Sequence, residues 1–385
     1  MTADANSEAA ARSADDRRFM AEAIRWSKKH TGLTDTNPSV GCVIVKNGEI
    51  VGAAVTAIGG RPHAETQAIA MAGAKTRGAT AYVTLEPCAH WGRTPPCANA
   101  LVDAGVARVV IAVADPDPRV AGQGMKILHD AGIATELGLM SDEARRPLSG
   151  YLMRQTSGRP YVTLKLAVSA DGMLGKRGEE IVITGEAVRT EVHHLRAQSD
   201  AILVGIGTVL SDDPELTVRL VGLKDRSPLR IVLDRDGRFP TTSRLAQTAD
   251  VVPVIVAKIG GTASETAGHS APDASCRCGN HGHAAEAEAQ RSPLTHLEAS
   301  TLKALLETLA TRGISTLLVE GGATVARAFL AQDLVDRIIL YVSDKVVGEG
   351  GLESPLTPSD IPASFTLLGS APVGPDRAYE YERSA

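Results

Sequence analysis

The sequence has few aromatic residues, no long apolar run and no basic tract. Phe, Trp and Tyr supply only 3% of its 385 residues while 43% are hydrophobic. The cores must therefore use small and branched side chains, as α/β folds often do. Without about 18 consecutive apolar residues, no segment is expected to cross a bilayer. A net charge of −5 with no cluster of Lys and Arg argues against nucleic acid as a partner.

Disulfides and secretion are not expected either. The five cysteines are an odd number in a long chain, which argues against a disulfide framework. They are Cys42, Cys88, Cys97, Cys276 and Cys278. The first 18 residues are polar and rich in Ala, without the apolar core of a secretory signal. We therefore expect a cytoplasmic protein whose cysteines bind a metal ion or are inert.

The first half of the chain alternates strand-like and helix-like segments. Residues 1–15 are expected to form a disordered tail, and an amphipathic helix is predicted over 16–30. A hairpin around Asn47-Gly48 follows, and then alternating helices and strands up to residue 114. This order predicts a three-layer α/β domain over 16–153.

A second domain is predicted over 160–385. The polar segment 154–160 precedes a buried strand at 161–168, after which strands and helices alternate again. Residues 260–293 interrupt this pattern with a stretch of Gly, Ala, Ser, His and Glu that has no hydrophobic period. We expect a flexible insertion there, in a second α/β domain.

Residues with metal-binding chemistry cluster in the first domain. His63 precedes Glu65 by two positions, and Cys88 follows a Pro, with Cys97 after a gap of eight residues. One imidazole and two thiolates give Zn²⁺ three ligands and leave the fourth position for water, as in catalytic sites. Glu65 is the candidate proton carrier. The alternative is a core histidine beside two buried cysteines.

The order of these residues indicates a reaction class. His-x-Glu followed by Pro-Cys is part of the signature of zinc nucleobase deaminases. In that signature two residues separate the two cysteines, whereas eight separate them here. The sequence thus predicts hydrolytic deamination of an amino-substituted heterocycle. His63 and Cys97 each follow a Pro at a predicted helix start, where the helix dipole is expected to keep Cys97 as a thiolate.

Longer motifs resemble those of a known enzyme family, the bifunctional riboflavin-biosynthesis deaminase/reductase. In the first domain they are Asn37–Gly41, His63–Glu65, Thr84–Cys97 and Asp115–Pro118, and in the second Lys165–Gly172, Leu195–Asp200, Thr208–Arg219, Val319–Gly322 and Leu334–Asp336. The resemblance implies a cytidine-deaminase-like domain followed by a dihydrofolate-reductase-like domain. It implies deamination of a 2,5-diamino-6-(5-phosphoribosylamino)pyrimidinone and then reduction of its ribosyl side chain by NADPH.

The resemblance also implies roles for individual residues. Zinc ligands would be His63, Cys88 and Cys97, with Glu65 as the proton donor. The deaminase substrate would contact Asn37, His90 and Arg93. The reductase substrate would contact Arg196, Leu216, Arg219 and Glu320. NADPH would contact Ala167, Thr208, Asp212, Gly322, Ala323, Thr324, Val325, Ala326, Arg327 and Ala328.

The second domain offers its own, weaker signal for a cofactor. No G-x-G-x-x-G pattern occurs anywhere in the sequence, which argues against a Rossmann dinucleotide site. Instead a strand at 316–319 runs through Glu320-Gly321-Gly322 into a predicted helix. Glycines at a helix start expose backbone N–H groups to a phosphate, although the same turn also serves as a simple connection.

The chain departs from the family pattern at two places. Thr56 stands where the family usually has His, which removes one expected deaminase contact. Glu180-Ile181-Val182 replaces a Ser-x-Trp, so a small hydroxyl near the substrate phosphate becomes an acid and a stacking surface is lost. The reductase half is therefore expected to be altered. Cys276, Cys278, His281 and His283 fit no usual zinc spacing and are interpreted as part of a solvated loop.

Three hypotheses follow from these observations. The first is the two-step riboflavin enzyme, which the family implies to be a homo-oligomer acting on a small phosphorylated pyrimidine. The second is a zinc deaminase of another nucleotide whose second domain is non-catalytic or impaired. The third is a non-catalytic scaffold stabilised by zinc.

Overall fold

The computed structural model describes residues 2–92, 95–179, 181–260 and 293–384. They fall into two compact units, Met1–Pro160 and Tyr161–Ala385. Several side chains singled out in the sequence lie outside the described residues, as does most of the predicted insertion. They are Arg93, Glu180, Cys276, Cys278, His281 and His283. No helix within the described ranges combines the length and the apolarity needed to cross a membrane.

The first unit contains five strands and five helices in its described part. The strands are β1 (Gly41–Lys46), β2 (Glu49–Val55), β3 (Thr80–Leu85), β4 (Arg108–Val113) and β5 (Ala134–Leu137). The helices are α1 (Thr2–Ser27), α2 (Ala64–Ala72), α3 (Cys97–Asp103), α4 (Gln123–Asp130) and α5 (Ser141–Ser157). The strands form one sheet in the order β2-β1-β3-β4-β5. β1 is antiparallel to its neighbours, and β3, β4 and β5 are parallel.

Helices cover both faces of this sheet. Consecutive residues of β1, β3 and β4 are buried, which requires cover on each side because side chains alternate along a strand. α1 packs on β1, β2 and β3 and touches α5, while α2 packs on β1 and β2 and touches α3. The three-layer α/β prediction is thus confirmed.

The predicted hairpin is also confirmed. Asn47 and Gly48 connect β1 to β2 with positive φ angles of 52° and 80°. Two such residues in succession are what the tight turns of two-residue hairpins require, and Asn-Gly adopts them at low cost.

Two segments that we predicted to be irregular are helical. α1 begins at Thr2 and so includes most of the tail predicted to be disordered over 1–15; its many Ala residues have high helix propensity. α5 continues to Ser157, through half of the predicted linker, and ends where Gly158 adopts a left-handed conformation at φ 64°. The polar residues before Gly158 are solvated helix, so polarity alone misplaced the helix end.

The second unit is built on a larger sheet. Its strands are β6 (Tyr161–Val168), β7 (Met173–Lys176), β8 (Ala201–Gly205), β9 (Leu229–Leu233), β10 (Val254–Ile259), β11 (Leu294–Ala299), β12 (Thr316–Val319), β13 (Arg337–Val342), β14 (Gly351–Glu353), β15 (Phe365–Val373) and β16 (Asp376–Arg383). Its helices are α6 (Glu186–Ala197), α7 (Ile206–Asp212), α8 (Arg244–Gln247), α9 (Leu302–Thr311) and α10 (Ala323–Ala331).

Nine of these strands pair in the order β11-β10-β9-β8-β12-β6-β13-β16-β15. The strands from β11 to β13 are parallel, and β16 is antiparallel to β13 and β15. The sequence predicted the alternation of strands and helices up to β13 but not the β15–β16 hairpin, whose strands carry many exposed residues. Because β8, β12 and β6 are parallel neighbours, the loops after them meet at one edge, where open α/β sheets bind ligands.

The packing of α1 on β1 gives a stability prediction. A Cβ on Gly41 would lie 1.9 Å from the carbonyl oxygen of Ala23, so Gly41→Ala must push α1 away from the sheet. We expect a loss of about 3 kcal/mol in the free energy of unfolding, typical of overpacking against backbone. Gly369→Ala is the control, because nothing lies within 4 Å of that site. Equal thermal unfolding midpoints for the two variants would contradict the prediction.

Candidate active sites

Three potential metal ligands come together beside one end of the first sheet, two of them at helix starts. His63 is the residue before α2 and has an extended backbone, with φ −70° and ψ 161°. Cys97 is the first residue of α3, and Cys88 follows the end of β3 by three residues. Their ligand atoms all lie within 4.8 Å of one another. This is the only such group of three or more His, Cys, Asp or Glu residues among those described.

The spacing of these atoms fits a tetrahedral zinc ion. Nδ1 of His63 lies 3.6 Å from Sγ of Cys88 and 3.3 Å from Sγ of Cys97. Bond lengths of about 2.0 Å to nitrogen and 2.3 Å to sulfur predict about 3.5 Å along such an edge of a tetrahedron. The donor set therefore has the chemistry and the spacing of a three-residue zinc site, as the sequence predicts.

The helix α3 acts on Cys88 rather than on its own first residue. The backbone N–H of Cys97 donates a hydrogen bond to Sγ of Cys88 over 3.3 Å. Hydrogen bonds from the Cys97 thiol and from His63 lower the pKa of Cys88 to about 4. The same contact between the thiols raises the pKa of Cys97. The expectation that the helix dipole favours thiolates here, at Cys97 and also at Cys88 if it caps a turn, stays a prediction; the geometry adds that the first N–H of α3 reaches Cys88.

Glu65 lies beside the metal group as a buried carboxyl. Its side chain is only 3% exposed, and within the described residues its Oε2 has no hydrogen-bond partner. Burial raises the pKa of Glu65 to about 7. Because His63 precedes the helix with an extended backbone, both side chains face one centre although they are two residues apart.

A cavity of about 360 Å³ opens onto this group, a size suited to a small ligand. Asn37 and His90, both expected to contact substrate, lie in its wall. Thr56, which replaces the family's His, also lines it. The Thr56 hydroxyl is buried and accepts a hydrogen bond from the Val40 N–H at 2.9 Å. Thr56 therefore stabilises the end of β1.

Further polar residues of this wall escaped the sequence analysis. Three are arginines, Arg61, Arg119 and Arg154, of which Arg119 pairs with Asp117. Others are carboxylates at the ends of β3 and β4 and a tyrosine of α5: Glu86, Asp115, Asp117 and Tyr151. Glu86 and the Asp115–Pro118 motif were visible in the sequence, but no residue spacing connects them with α5.

Glu86 fixes the segment that carries Cys88. Its carboxylate accepts backbone hydrogen bonds of 3.1–3.3 Å from Asp115, Gly122, Gly124 and Met125. A Cβ on Gly124 would lie 2.0 Å from the Pro87 carbonyl oxygen. The backbone before Cys88 is thus held tightly against the loop that leads into α4.

The second unit brings predicted cofactor residues together at the ends of β8 and β12. Gly205 and Gly322 precede α7 and α10 respectively, both with extended backbones. A Cβ on Gly322 would lie 3.9 Å from the Thr208 hydroxyl, and one on Gly205 only 2.7 Å from Val325. Gly205 therefore lets β8 and α10 approach closely, whereas Gly322 leaves open space at the start of α10, where helix N–H groups favour an anion.

The other predicted cofactor residues differ in their surroundings. Val325 and Ala326 are buried in the core, which leaves only their backbone for a ligand. Arg327 of α10 donates to the Glu353 carbonyl oxygen at 3.1 Å. Asp212 is exposed at the end of α7. The remaining predicted cofactor residues lie in β6 and on α10: Ala167, Ala323, Thr324 and Ala328.

The predicted substrate residues of this unit include a buried ion pair. Arg196 donates to both carboxylate oxygens of Glu320, at 2.7 and 2.9 Å. Nζ of Lys165 lies 3.9 Å from the same carboxylate, and burial lowers the pKa of Lys165. The sequence analysis gave Lys165 no role, although a Lys inside an otherwise apolar strand could have marked it as a candidate site residue.

Two predicted substrate residues lie nearby along the chain. Arg219 is exposed and pairs with Glu215 at 3.4 Å. Leu216 is 3% exposed, with its side chain in the core, so it has only its backbone to offer a substrate. Val182, one of the departures from the family, is exposed, and its carbonyl oxygen accepts a hydrogen bond from Lys345 at 2.6 Å.

Comparison with known proteins gives matches over both units. Residues 160–379 match the RibD C-terminal domain, and residues 13–113 match the cytidine and deoxycytidylate deaminase zinc-binding region. The riboflavin biosynthesis protein RibD of Escherichia coli is 41% identical over 347 residues, covering 86% of this chain and 89% of that protein.

Two solved structures match nearly the whole chain. Acinetobacter baumannii RibD superposes with a TM-score of 0.80 at 37% identity, over 97% of this chain and all of that one. A diaminohydroxyphosphoribosylaminopyrimidine deaminase/5-amino-6-(5-phosphoribosylamino)uracil reductase from Thermotoga maritima gives 0.81 at 32% identity, with the same coverage. The two domain folds that the sequence motifs implied are confirmed by these matches.

The metal group predicts which cysteines matter for zinc. Cys88→Ala and Cys97→Ala should each reduce bound zinc to below about a tenth of an equivalent, because two remaining ligands hold the ion poorly. Cys42→Ala should keep about one zinc per chain, since Cys42 is buried in β1 outside the group. Elemental analysis of the purified proteins measures this. Zinc loss in Cys42→Ala, or retention in the other two, would contradict the assignment.

Proposed function

The chain belongs to the family of the riboflavin biosynthesis protein RibD, and from this premise we propose which residues carry its two reactions. It is a bifunctional enzyme of riboflavin biosynthesis, with a zinc-dependent deaminase in the first unit and an NADPH-dependent reductase in the second. Its substrate is a small phosphorylated pyrimidine. The first reaction replaces a ring amino group of 2,5-diamino-6-(5-phosphoribosylamino)pyrimidin-4(3H)-one by a carbonyl and releases ammonia. The second reduces the ribosyl side chain to ribityl.

We assign the zinc ion to His63, Cys88 and Cys97. When bound, the ion lowers the pKa of a coordinated water to about 7 and so makes hydroxide available at neutral pH. The observation that carries this assignment is the convergence of the three ligand atoms within 4.8 Å beside the buried Glu65 carboxyl. A non-catalytic scaffold would have no use for an unpartnered carboxyl oxygen there.

Glu65 moves the protons of the deamination. A carboxyl with a pKa near 7 can accept a proton from the attacking water and deliver it to the departing amino group at neutral pH. Asn37 and His90 line the cavity and hydrogen-bond the pyrimidine ring. The arginines of the wall supply the positive charge that the substrate phosphate needs.

The second unit binds NADPH at the helix starts after β8 and β12. The backbone N–H groups around Gly322 and the Thr208 hydroxyl face the cofactor's phosphates, supported by the close approach of α7 and α10. Arg196 and Arg219 attract the substrate phosphate, with Glu320 fixing the guanidinium of Arg196. NADPH supplies the hydride when bound.

The remaining expectations concern where and with what the enzyme works. Free thiols at Cys42, Cys88 and Cys97 and a zinc site that needs thiolates suit a reducing compartment, so we propose the cytoplasm. The acidic net charge argues against nucleic acid and against a membrane surface as partners. A homo-oligomer is proposed from the family resemblance.

One assay separates this function from its alternative. The purified enzyme is given the diaminopyrimidine phosphate with and without NADPH, and ammonia and the nicotinamide absorbance are followed together. Ammonia release in both cases, with NADPH oxidised only after deamination, supports the two-step enzyme. Ammonia release with no NADPH oxidation would identify a deaminase whose second unit is impaired, as the departures at 180–182 suggest.

Glu65→Gln tests the proton carrier. The amide keeps the shape of the side chain but cannot accept the water proton, so ammonia release should fall by about 10²- to 10⁴-fold. Zinc content should stay at one per chain, and reduction of the separately supplied deaminated intermediate should be unchanged. Deaminase activity within a few-fold of wild type would overturn the role of Glu65.

Gly322 offers a matched pair of substitutions for the NADPH site. Gly322→Asp and Gly322→Asn have similar size and cap a helix about equally well, and space exists near this position. Only Asp adds a negative charge where a phosphate is expected, so its Kd for NADPH should exceed that of the Asn variant by at least about tenfold. Fluorescence titration measures both. Equal Kd values would place the phosphates elsewhere.

A further inference from the structure

Asp115 is a buried carboxylate in the wall of the deaminase cavity. It follows the end of β4 and is 6% exposed. Its Oδ1 accepts hydrogen bonds from the Asp117 N–H at 2.9 Å and from the Tyr151 hydroxyl at 2.8 Å. Among the described residues, its Oδ2 receives only one hydrogen bond, a second contact from the Tyr151 hydroxyl at 3.1 Å. A carboxylate oxygen accepts more than one hydrogen bond, so Oδ2 has capacity left.

Tyr151 is held in a fixed position by the core. Its ring packs against the hydrophobic core of the first unit, on the helix α5 that contacts β4. Tyr151 also lines the cavity, and its hydroxyl donates a hydrogen bond to Asp115. Burial raises the pKa of Asp115, and the bonds from Asp117 and Tyr151 oppose that effect. The tyrosine thus favours the ionised, accepting form of this carboxylate.

The proposed function supplies the partner for the remaining oxygen. The substrate carries amino groups, ring N–H groups and ribose hydroxyls, all of which donate hydrogen bonds. Among the described residues, no hydrogen bond of Asp115 reaches His63, Cys88 or Cys97. Asp115 is therefore not part of the hydrogen-bonded metal group, although it lines the same cavity.

Resting on the proposed deaminase, we infer that Tyr151 is a positioning residue, which orients Asp115 so that its Oδ2 accepts a hydrogen bond from a non-reacting N–H or O–H of the pyrimidine substrate. Such a bond is present in the Michaelis complex and in the transition state alike. Its loss changes KM and leaves kcat nearly constant. A residue that only supported the fold would not produce this split.

Tyr151→Phe removes the hydroxyl and keeps the buried ring. Ammonia release is measured over a range of diaminopyrimidine phosphate concentrations with zinc-loaded enzyme. We expect KM to rise about tenfold and kcat to stay within about twofold of wild type. Asp115→Asn should raise KM at least as much, and the double variant no further, because both changes remove one interaction. The Asp115 variant provides this readout even where Tyr151→Phe folds poorly.

Tyr82→Phe is the matched control. Tyr82 belongs to the same unit and its hydroxyl donates to the buried Asp16 at 2.6 Å, away from the cavity. The Tyr82→Phe variant should lower the unfolding midpoint, as Tyr151→Phe does, but leave the KM of the deaminase unchanged. An unchanged KM in Tyr151→Phe, an equal rise in Tyr82→Phe, or additive effects in the double variant would overturn the inference. Absence of ammonia release by the wild type would instead overturn the proposed deaminase.

Discussion

Four backbone N–H groups converge on the carboxylate of Glu86, and the first active site depends on that interaction. Strand β3 ends one residue before Glu86, and Cys88 follows two residues later. The same hydrogen bonds fix the loop after β4, from Asp115 to Gly122, and the first turn of α4. A buried carboxylate is expensive to leave without donors, so this loop cannot move away without a large loss of stability. One charge thereby orders a metal ligand and the opposite wall of the cavity.

Both units place their chemistry at the starts of helices that follow strands, but for different ligands. In the first unit the N–H of Cys97 points at a sulfur of the metal group. In the second, glycines with extended backbones precede α7 and α10, where we propose that the NADPH phosphates bind. The exposed N–H groups and the helix dipole favour negative charge in each case. Side chains then decide between a thiolate–metal centre and a dinucleotide.

The sequence predicts the metal centre well because each of its residues carries its own local signal. His63, Cys88 and Cys97 are recognised by type, by neighbouring Pro and by spacing, and Asn47-Gly48 specifies a hairpin on its own. The cavity wall is different. Tyr151 meets Asp115 across 36 residues, and nothing in either segment indicates the other. The helical course of residues 2–15 was likewise hidden, since their composition suits a solvated helix as well as a tail.

Helix α5 also constrains how the two activities can be separated. Its last two turns carry Tyr151 and Arg154, which belong to the deaminase cavity, and β6 of the reductase starts at Tyr161. Only Gly158, Arg159 and Pro160 lie between the end of α5 and the start of β6. A gene split or a protease cut that is to keep the deaminase cavity intact should therefore fall after Gln155 and before Tyr161. A break before Tyr151 would remove Tyr151, Arg154 and Gln155 from the cavity wall.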